Sequence, residues 1–129
     1  IEIQKKIFEY HIQLSEDLCK PLIIHQVKSL DEIFFYRKKY SPSQRWLIHG
    51  FRGNLLTAKQ LLRAEIEFSF GNKFVPEILQ IMPMKSLFLE SDDSSCFSAL
   101  LCKVAKILNK SEQELEQLLV ENNHSFLNV

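Results

Sequence analysis

The chain of 129 residues has no excess of either charge: 16 basic and 16 acidic side chains balance to zero. It carries no basic tail and no basic run longer than Arg37-Lys38-Lys39, so a protein that grips duplex DNA through broad electrostatic contact is not predicted. A compact site that meets phosphates through metal ions stays open, because the ions bring their own charge. Cysteine is scarce and odd in number. Cys19, Cys96 and Cys102 match no zinc or redox spacing, which points to a reduced, cytoplasmic protein. No stretch approaches the ~18 to 20 apolar residues that a membrane span needs, and no signal peptide is visible in these residues. Linkers and low-complexity segments are missing as well. The chain opens on Ile1, not methionine, which leads us to expect residues upstream.

What is present is ordinary for a single globular domain: 46% hydrophobic and 25% charged residues in a length sufficient for one core. Its pattern is less ordinary. Three short apolar runs end in a metal-type ligand: Leu22-Ile23-Ile24-His25, Trp46-Leu47-Ile48-His49 and Leu87-Phe88-Leu89-Glu90-Ser91-Asp92. A fourth run, Ile66-Glu67-Phe68-Ser69-Phe70-Gly71, lies between the last two. The ends fall at 25, 49, 71 and 92, in steps of 24, 22 and 21 residues. Continuously apolar runs at such steps predict buried parallel strands, each followed by a helix.

The segments between the runs fit this reading. Ile3, Ile7, Leu14 and Leu18, at helical spacing, predict an amphipathic helix over 2–19, stopped by Lys20-Pro21. Strands are predicted at 22–24, 46–48, 66–70 and 87–89. Ser29 with Glu32 reads as a capping box opening a helix to about Tyr40. Asn54 caps a helix to about Ala64. A short helix spans 76–81, and another spans 95–108 with Ala99, Leu100, Val104 and Leu108 inward. Ser111 with Glu114 opens a last helix to about Glu121. The order αβαβαβαβαα implies a parallel sheet with right-handed crossovers. Four such strands make a small open sheet or half of a (β/α)8 barrel, because a whole barrel usually takes about 250 residues. Half a barrel leaves unpaired strand edges and an open apolar face, which invite another segment or chain.

Active sites of parallel α/β folds lie at the carboxyl ends of the strands. His25 and His49 fall there on neighbouring strands, about 4.8 Å apart, so both imidazoles can reach one ion. Zinc suits such ligands, as do manganese or iron where carboxylates join them. Asp92 can bind a second ion or orient a water, and Glu90 stands beside it as an outer hydrogen-bonding partner. Trp46 and the phenylalanines read as core. His11, placed on the inward face of the first helix, and His124 read as structural or surface residues.

The same residues resemble a known family. His49-Gly50-Phe51-Arg52-Gly53 is similar to the H-C-F-S-G segment of the TatD family of metal-dependent deoxyribonucleases. Leu89-Glu90-Ser91-Asp92 resembles its L-E-T-D, and Lys20-Pro21-Leu22-Ile23-Ile24-His25 its K-P-hydrophobic-hydrophobic-I-H. The tail from Glu121-Asn122 to Leu127 resembles its closing E-N-x-x-x-hydrophobic pattern. Order and spacing agree over nearly the whole chain.

The resemblance implies an amidohydrolase-like TIM barrel, of which residues 1–129 are the carboxyl-terminal half, strands five to eight, as one domain. It implies that His25, His49 and Asp92 are metal ligands, with Asp92 also catalytic through activation of the attacking water. It further implies divalent ions (Mg, Mn or Zn), two in the complete site, and hydrolysis of DNA or another phosphodiester. The family's H-x-H motif and bridging glutamate would lie upstream, so the 129 residues alone are expected to be inactive. The missing half would come from upstream residues or a second chain.

This chain departs from the family at Val27-Lys28, where an arginine is frequent two residues after the first of these histidines. Arg52 replaces the serine of H-C-F-S-G, and Asp93-Ser94 replace alanine-proline. These positions line the substrate mouth, where Arg52 is a candidate phosphate contact by bidentate bonding and Lys28 a weaker one. Two other readings remain: a non-catalytic remnant kept for assembly, and an amidohydrolase acting on C–N or ester bonds.

Overall fold

The computed structural model describes residues 1–91 and 96–129. Its elements follow the predicted order: α1 (Glu2–Asp17), β1 (Leu22–His25), α2 (Leu30–Tyr40), β2 (Trp46–His49), α3 (Leu55–Arg63), β3 (Ile66–Phe70), α4 (Ile78–Ile81), a 3-10 turn (Met84–Ser86), β4 (Phe88–Leu89), α5 (Phe97–Ile107) and α6 (Glu112–Leu127). The strands form one sheet in the order β1-β2-β3-β4, and every pair is parallel.

Side chains alternate across the pleat. Ile24, Trp46, Ile48, Ile66, Phe68 and Phe70 turn to one face, where they are buried with Ile12, Ile33, Leu61, Val104 and Leu115 from the helices. Leu47 and Phe88 turn to the other face and are covered by Phe126 from the end of α6. Phe126 meets Phe88 edge-on with centroids 5.5 Å apart, and the Arg45 guanidinium stacks over Phe126 at 5.2 Å. Arg45 also pairs with Glu67. The carboxyl-terminal helix thus closes the amino-terminal end of the sheet, opposite the strand tips.

Hydrogen bonds pin several of the connecting loops. Glu16 at the end of α1 accepts from the backbone N–H groups of Ser43 and Gln44 at 3.0 and 2.8 Å and from the Ser43 hydroxyl. Burial alone would raise its carboxyl, but these bonds, aided by Arg37, outweigh it and hold the group below the usual carboxylate range. Asn54 caps α3 by accepting from the Thr57 N–H at 2.9 Å. Ser111 and Glu114 complete the predicted capping box.

Four expectations need correction. In α1 the stripe Ile3, Ile7, Leu14 and Leu18 faces solvent, as does His11; the helix buries Ile12 and Ser15 instead. The helix carries apolar residues on two faces, and the sheet takes the one holding Phe8 and Ile12. The capping box at Ser29 does not form. The Gln26 amide oxygen, turned toward the loop, takes the Ser29 N–H at 3.0 Å, which is the donor that Glu32 would need. In α5, Ala99 is exposed while Leu101 and Ala105 join Leu100 and Val104 inside.

The last correction concerns α6, which runs on past Glu121 to Leu127. Its polar stretch is held by Asn122, buried at 4% exposure, whose Nδ2 donates to the carbonyls of Met84 and Leu87 at 2.7 and 2.9 Å. Asn122→Ala removes this donor from both carbonyls, leaving Met84 only the 3.3 Å bond from the Leu87 N–H. It is expected to cost about 1 to 3 kcal/mol of stability, read from urea denaturation; an unchanged midpoint would show that water replaces the amide.

Candidate functional site

His25 and His49 end neighbouring strands and stand opposite each other in the ladder register. Their ring centroids lie 5.8 Å apart with planes tilted by 37°. This is the juxtaposition that the strand-end spacing predicts. His25 is exposed, and His49 is half-covered.

Below His49 sits Glu90, just past the end of β4. Its backbone N–H donates to the Phe70 carbonyl at 3.0 Å, which continues the β3–β4 pairing by one residue. Its Oε2 lies 2.7 Å from His49 Nδ1, accepts the Gly50 N–H at 3.1 Å and accepts the Ser69 hydroxyl. A carboxylate oxygen can only accept, so the bond to His49 places the proton on Nδ1. Glu90 is thus a hydrogen-bond partner of His49, Gly50 and Ser69 at once.

The chain turns sharply after His49 because Gly50 adopts φ +70, the left-handed region that favours glycine. A Cβ at Gly50 would also stand 3.3 Å from Glu90 Oε1. A side chain at position 50 would thus meet a strained backbone and press on the carboxylate beside it.

The two histidines open onto a cleft of about 470 Å³, also lined by Gln26, Arg52, Asn72, Lys73 and Glu90. Arg52 is exposed at the mouth, so the structure brings this candidate to the histidines. Lys28 lies in a neighbouring groove between α1 and α2 that shares only His25 with the cleft. Asp92 lies outside the described residues. Among the described residues no group of three or more His, Cys, Asp or Glu side chains stands in metal-binding geometry.

Lys73, Asn72 and Gln26 escape the sequence reading, which follows ligand-type residues at run ends. Gly71 ends the β3 run without such a ligand, yet the next two residues face the cleft by the same carboxyl-end rule. The donor set fits a divalent ion: two imidazoles from adjacent strand tips, one oriented through its other nitrogen by a carboxylate. This is the usual outer support of a metal-ligating histidine. Among the described residues no helix is long and apolar enough to cross a membrane.

Known proteins agree with this architecture. The family model described as TatD related DNase matches residues 1–128. An uncharacterized metal-dependent hydrolase of Escherichia coli K12, YjjV, is 20% identical over 99% of this chain and 58% of its own length. A Haemophilus influenzae protein of the same description is 27% identical over 69% of this chain and 37% of its own length. The crystal structure of YjjV superposes with a TM-score of 0.81 at 17% identity, covering 99% of this chain and 57% of that one. A TatD family hydrolase of Entamoeba histolytica superposes at 0.76 with 13% identity, covering 98% and 57%. The chain thus spans little more than half of YjjV and less of the Haemophilus protein, and its sheet and helices are half of their barrel fold.

Proposed function

This chain belongs to the TatD-related DNase family, and from that premise we propose that the complete protein is a metal-dependent phosphodiesterase acting on DNA. One observation carries the reading: His25 and His49 stand side by side at the strand tips with Glu90 against the second ring. In this reading His25 and His49 hold one divalent ion, and Asp92 serves a second ion and the attacking water. Bound Mg, Mn or Zn would supply a polarised water and charge to neutralise the phosphate.

The chain's own residues do the rest. Glu90 keeps Nδ1 of His49 engaged, so Nε2 is the nitrogen that an ion takes. Arg52 enters the cleft with a planar fork suited to two phosphate oxygens. Lys73 adds a second positive side chain at the same mouth, and Gln26 and Asn72 offer amides for sugar or phosphate oxygens. Lys28, one groove away, is given no contact with the scissile phosphate.

The remaining barrel strands are assigned to upstream residues of the same polypeptide. The open edge of β1, where Ile23 is 59% exposed, and the exposed stripe of α1 support this. A second chain is the other source. The three free cysteines suit a cytoplasmic setting.

The test is hydrolysis of an end-labelled oligonucleotide by the full-length protein with Mg, Mn or Zn and with chelator. Metal-dependent shortening is expected. Failure on every DNA, with turnover of amide or ester substrates instead, would move the protein to the amidohydrolase class. Within this assay Arg52→Ala should raise KM for DNA about 10-fold or more, the loss of charged hydrogen bonds, with a smaller change in kcat. An unchanged KM would return Arg52 to the solvated surface.

A further inference from the structure

We propose that Ser69 is a positioning residue of this site: its hydroxyl clamps the Glu90 carboxylate, and through it sets the tautomer and facing of His49. The inference rests on the metal reading for its consequence, though not for its geometry.

Ser69 lies in β3 between Phe68 and Phe70, both fully buried on the helix face. Its side chain therefore turns to the opposite face, the one that carries Leu47, Phe88 and the histidines. It is 5% exposed, one of three buried polar residues named among the described positions. The other two have backbone duties: Ser15 donates to the Lys20 carbonyl at 2.5 Å, and Asn122 donates to Met84 and Leu87. Ser69 instead donates to a side chain, Oε2 of Glu90.

That oxygen receives three donors from the ends of two strands: the Ser69 hydroxyl from β3, and the Gly50 N–H and His49 Nδ1 from the end of β2. The backbone of Ser69 ties the same region together, since its carbonyl accepts the Phe51 N–H at 2.9 Å. A Cβ at Gly50 would stand 3.3 Å from Oε1, so this segment lies close to the other carboxylate oxygen as well. Two of the three donors belong to the His49-Gly50 segment itself. The Glu90 backbone is already tied to β3 through Phe70, and among the described residues Ser69 is the donor outside the His49-Gly50 segment that holds its carboxylate, so it decides whether that group is fixed to the sheet or moves with the loop it should orient. A carboxylate free to swing loses its hold on Nδ1, and the imidazole then populates both tautomers and both ring faces.

A buried serine that merely satisfies its own hydroxyl would leave His49 unchanged, and this difference is measurable. The experiment uses the full-length protein with Ser69→Ala and Ser69→Thr, the second of which keeps the hydroxyl. Long-range proton–nitrogen NMR of the metal-free protein reads the His49 tautomer, and titration with Zn or Mn alone reads affinity. Wild type should show the Nδ1–H form. Ser69→Ala should show a mixture of tautomers and bind metal about 2- to 10-fold more weakly, a single hydrogen bond's share. Ser69→Thr should restore both.

An unchanged tautomer in Ser69→Ala, or a threonine variant that behaves like alanine, overturns the proposal. Should wild type bind no metal while the tautomer still shifts in Ser69→Ala, the metal reading fails and the positioning role of Ser69 stands.

Discussion

Replacing His49 by alanine in the full-length protein is expected to abolish metal-dependent hydrolysis, with loss of metal affinity beyond about 100-fold. The scale comes from outer partners, whose removal typically costs about 10- to 100-fold in affinity or activity; a ligand that such a partner supports should cost more. His49 is the side chain into which the local structure converges: Glu90 engages its Nδ1 at 2.7 Å, and Gly50 turns the chain at φ +70 directly after it. His25→Ala should be similarly severe, because its ring is the adjacent donor at 5.8 Å. Glu90→Gln should fall between wild type and these, within the range for outer partners. Melting curves separate the causes: a loss of activity with an unchanged melting temperature assigns it to the site. Full activity in His49→Ala would remove the metal reading.

The 129-residue chain alone is expected to hydrolyse DNA no faster than buffer at any metal concentration. It supplies two neighbouring imidazoles from its described residues, and Asp92 from sequence. It covers 57% of the YjjV and Entamoeba structures. In a (β/α)8 barrel the site is assembled from the ends of several strands around the closed ring, so half of the ring supplies part of the ligand set. The open β1 edge and the apolar α1 stripe, with Ile3 73% and Leu18 59% exposed, also favour self-association of the isolated chain. Comparing the isolated chain with the full-length protein on one oligonucleotide, with light scattering alongside, tests both points. Robust activity from a monomeric 129-residue chain would contradict the half-site account.

Much of this was legible in the sequence because the strands are short, apolar and evenly stepped. A run such as Trp46-Leu47-Ile48-His49 announces a buried strand and the position of its tip together. The pairing of His25 with His49 follows directly from parallel strands of equal length. Asn54 and the Ser111–Glu114 box work through bonds within three or four residues, so a local reading finds them.

Much of what escaped depends on partners distant in sequence. The buried face of α1 could not be chosen, because the sheet selects between two apolar stripes. The extent of α6 depends on Asn122 reaching carbonyls at Met84 and Leu87, 38 and 35 residues away. Ser29 fails as a cap because Gln26 takes the N–H that the box requires. Ser69 looks like a neutral strand residue until β4 brings Glu90 beside it. In the cleft, Lys73 and Asn72 went unseen because they follow a strand that ends in Gly71 with no ligand of its own.

The central claim is that His25 and His49 together hold a divalent ion. Anomalous diffraction from crystals of the full-length protein, grown with zinc and recorded on both sides of its absorption edge, tests it directly. The account predicts a peak at about 2.0 to 2.1 Å from a ring nitrogen of each histidine, on Nε2 in the case of His49. A metal peak away from this pair, or none there while zinc is bound elsewhere, would contradict it.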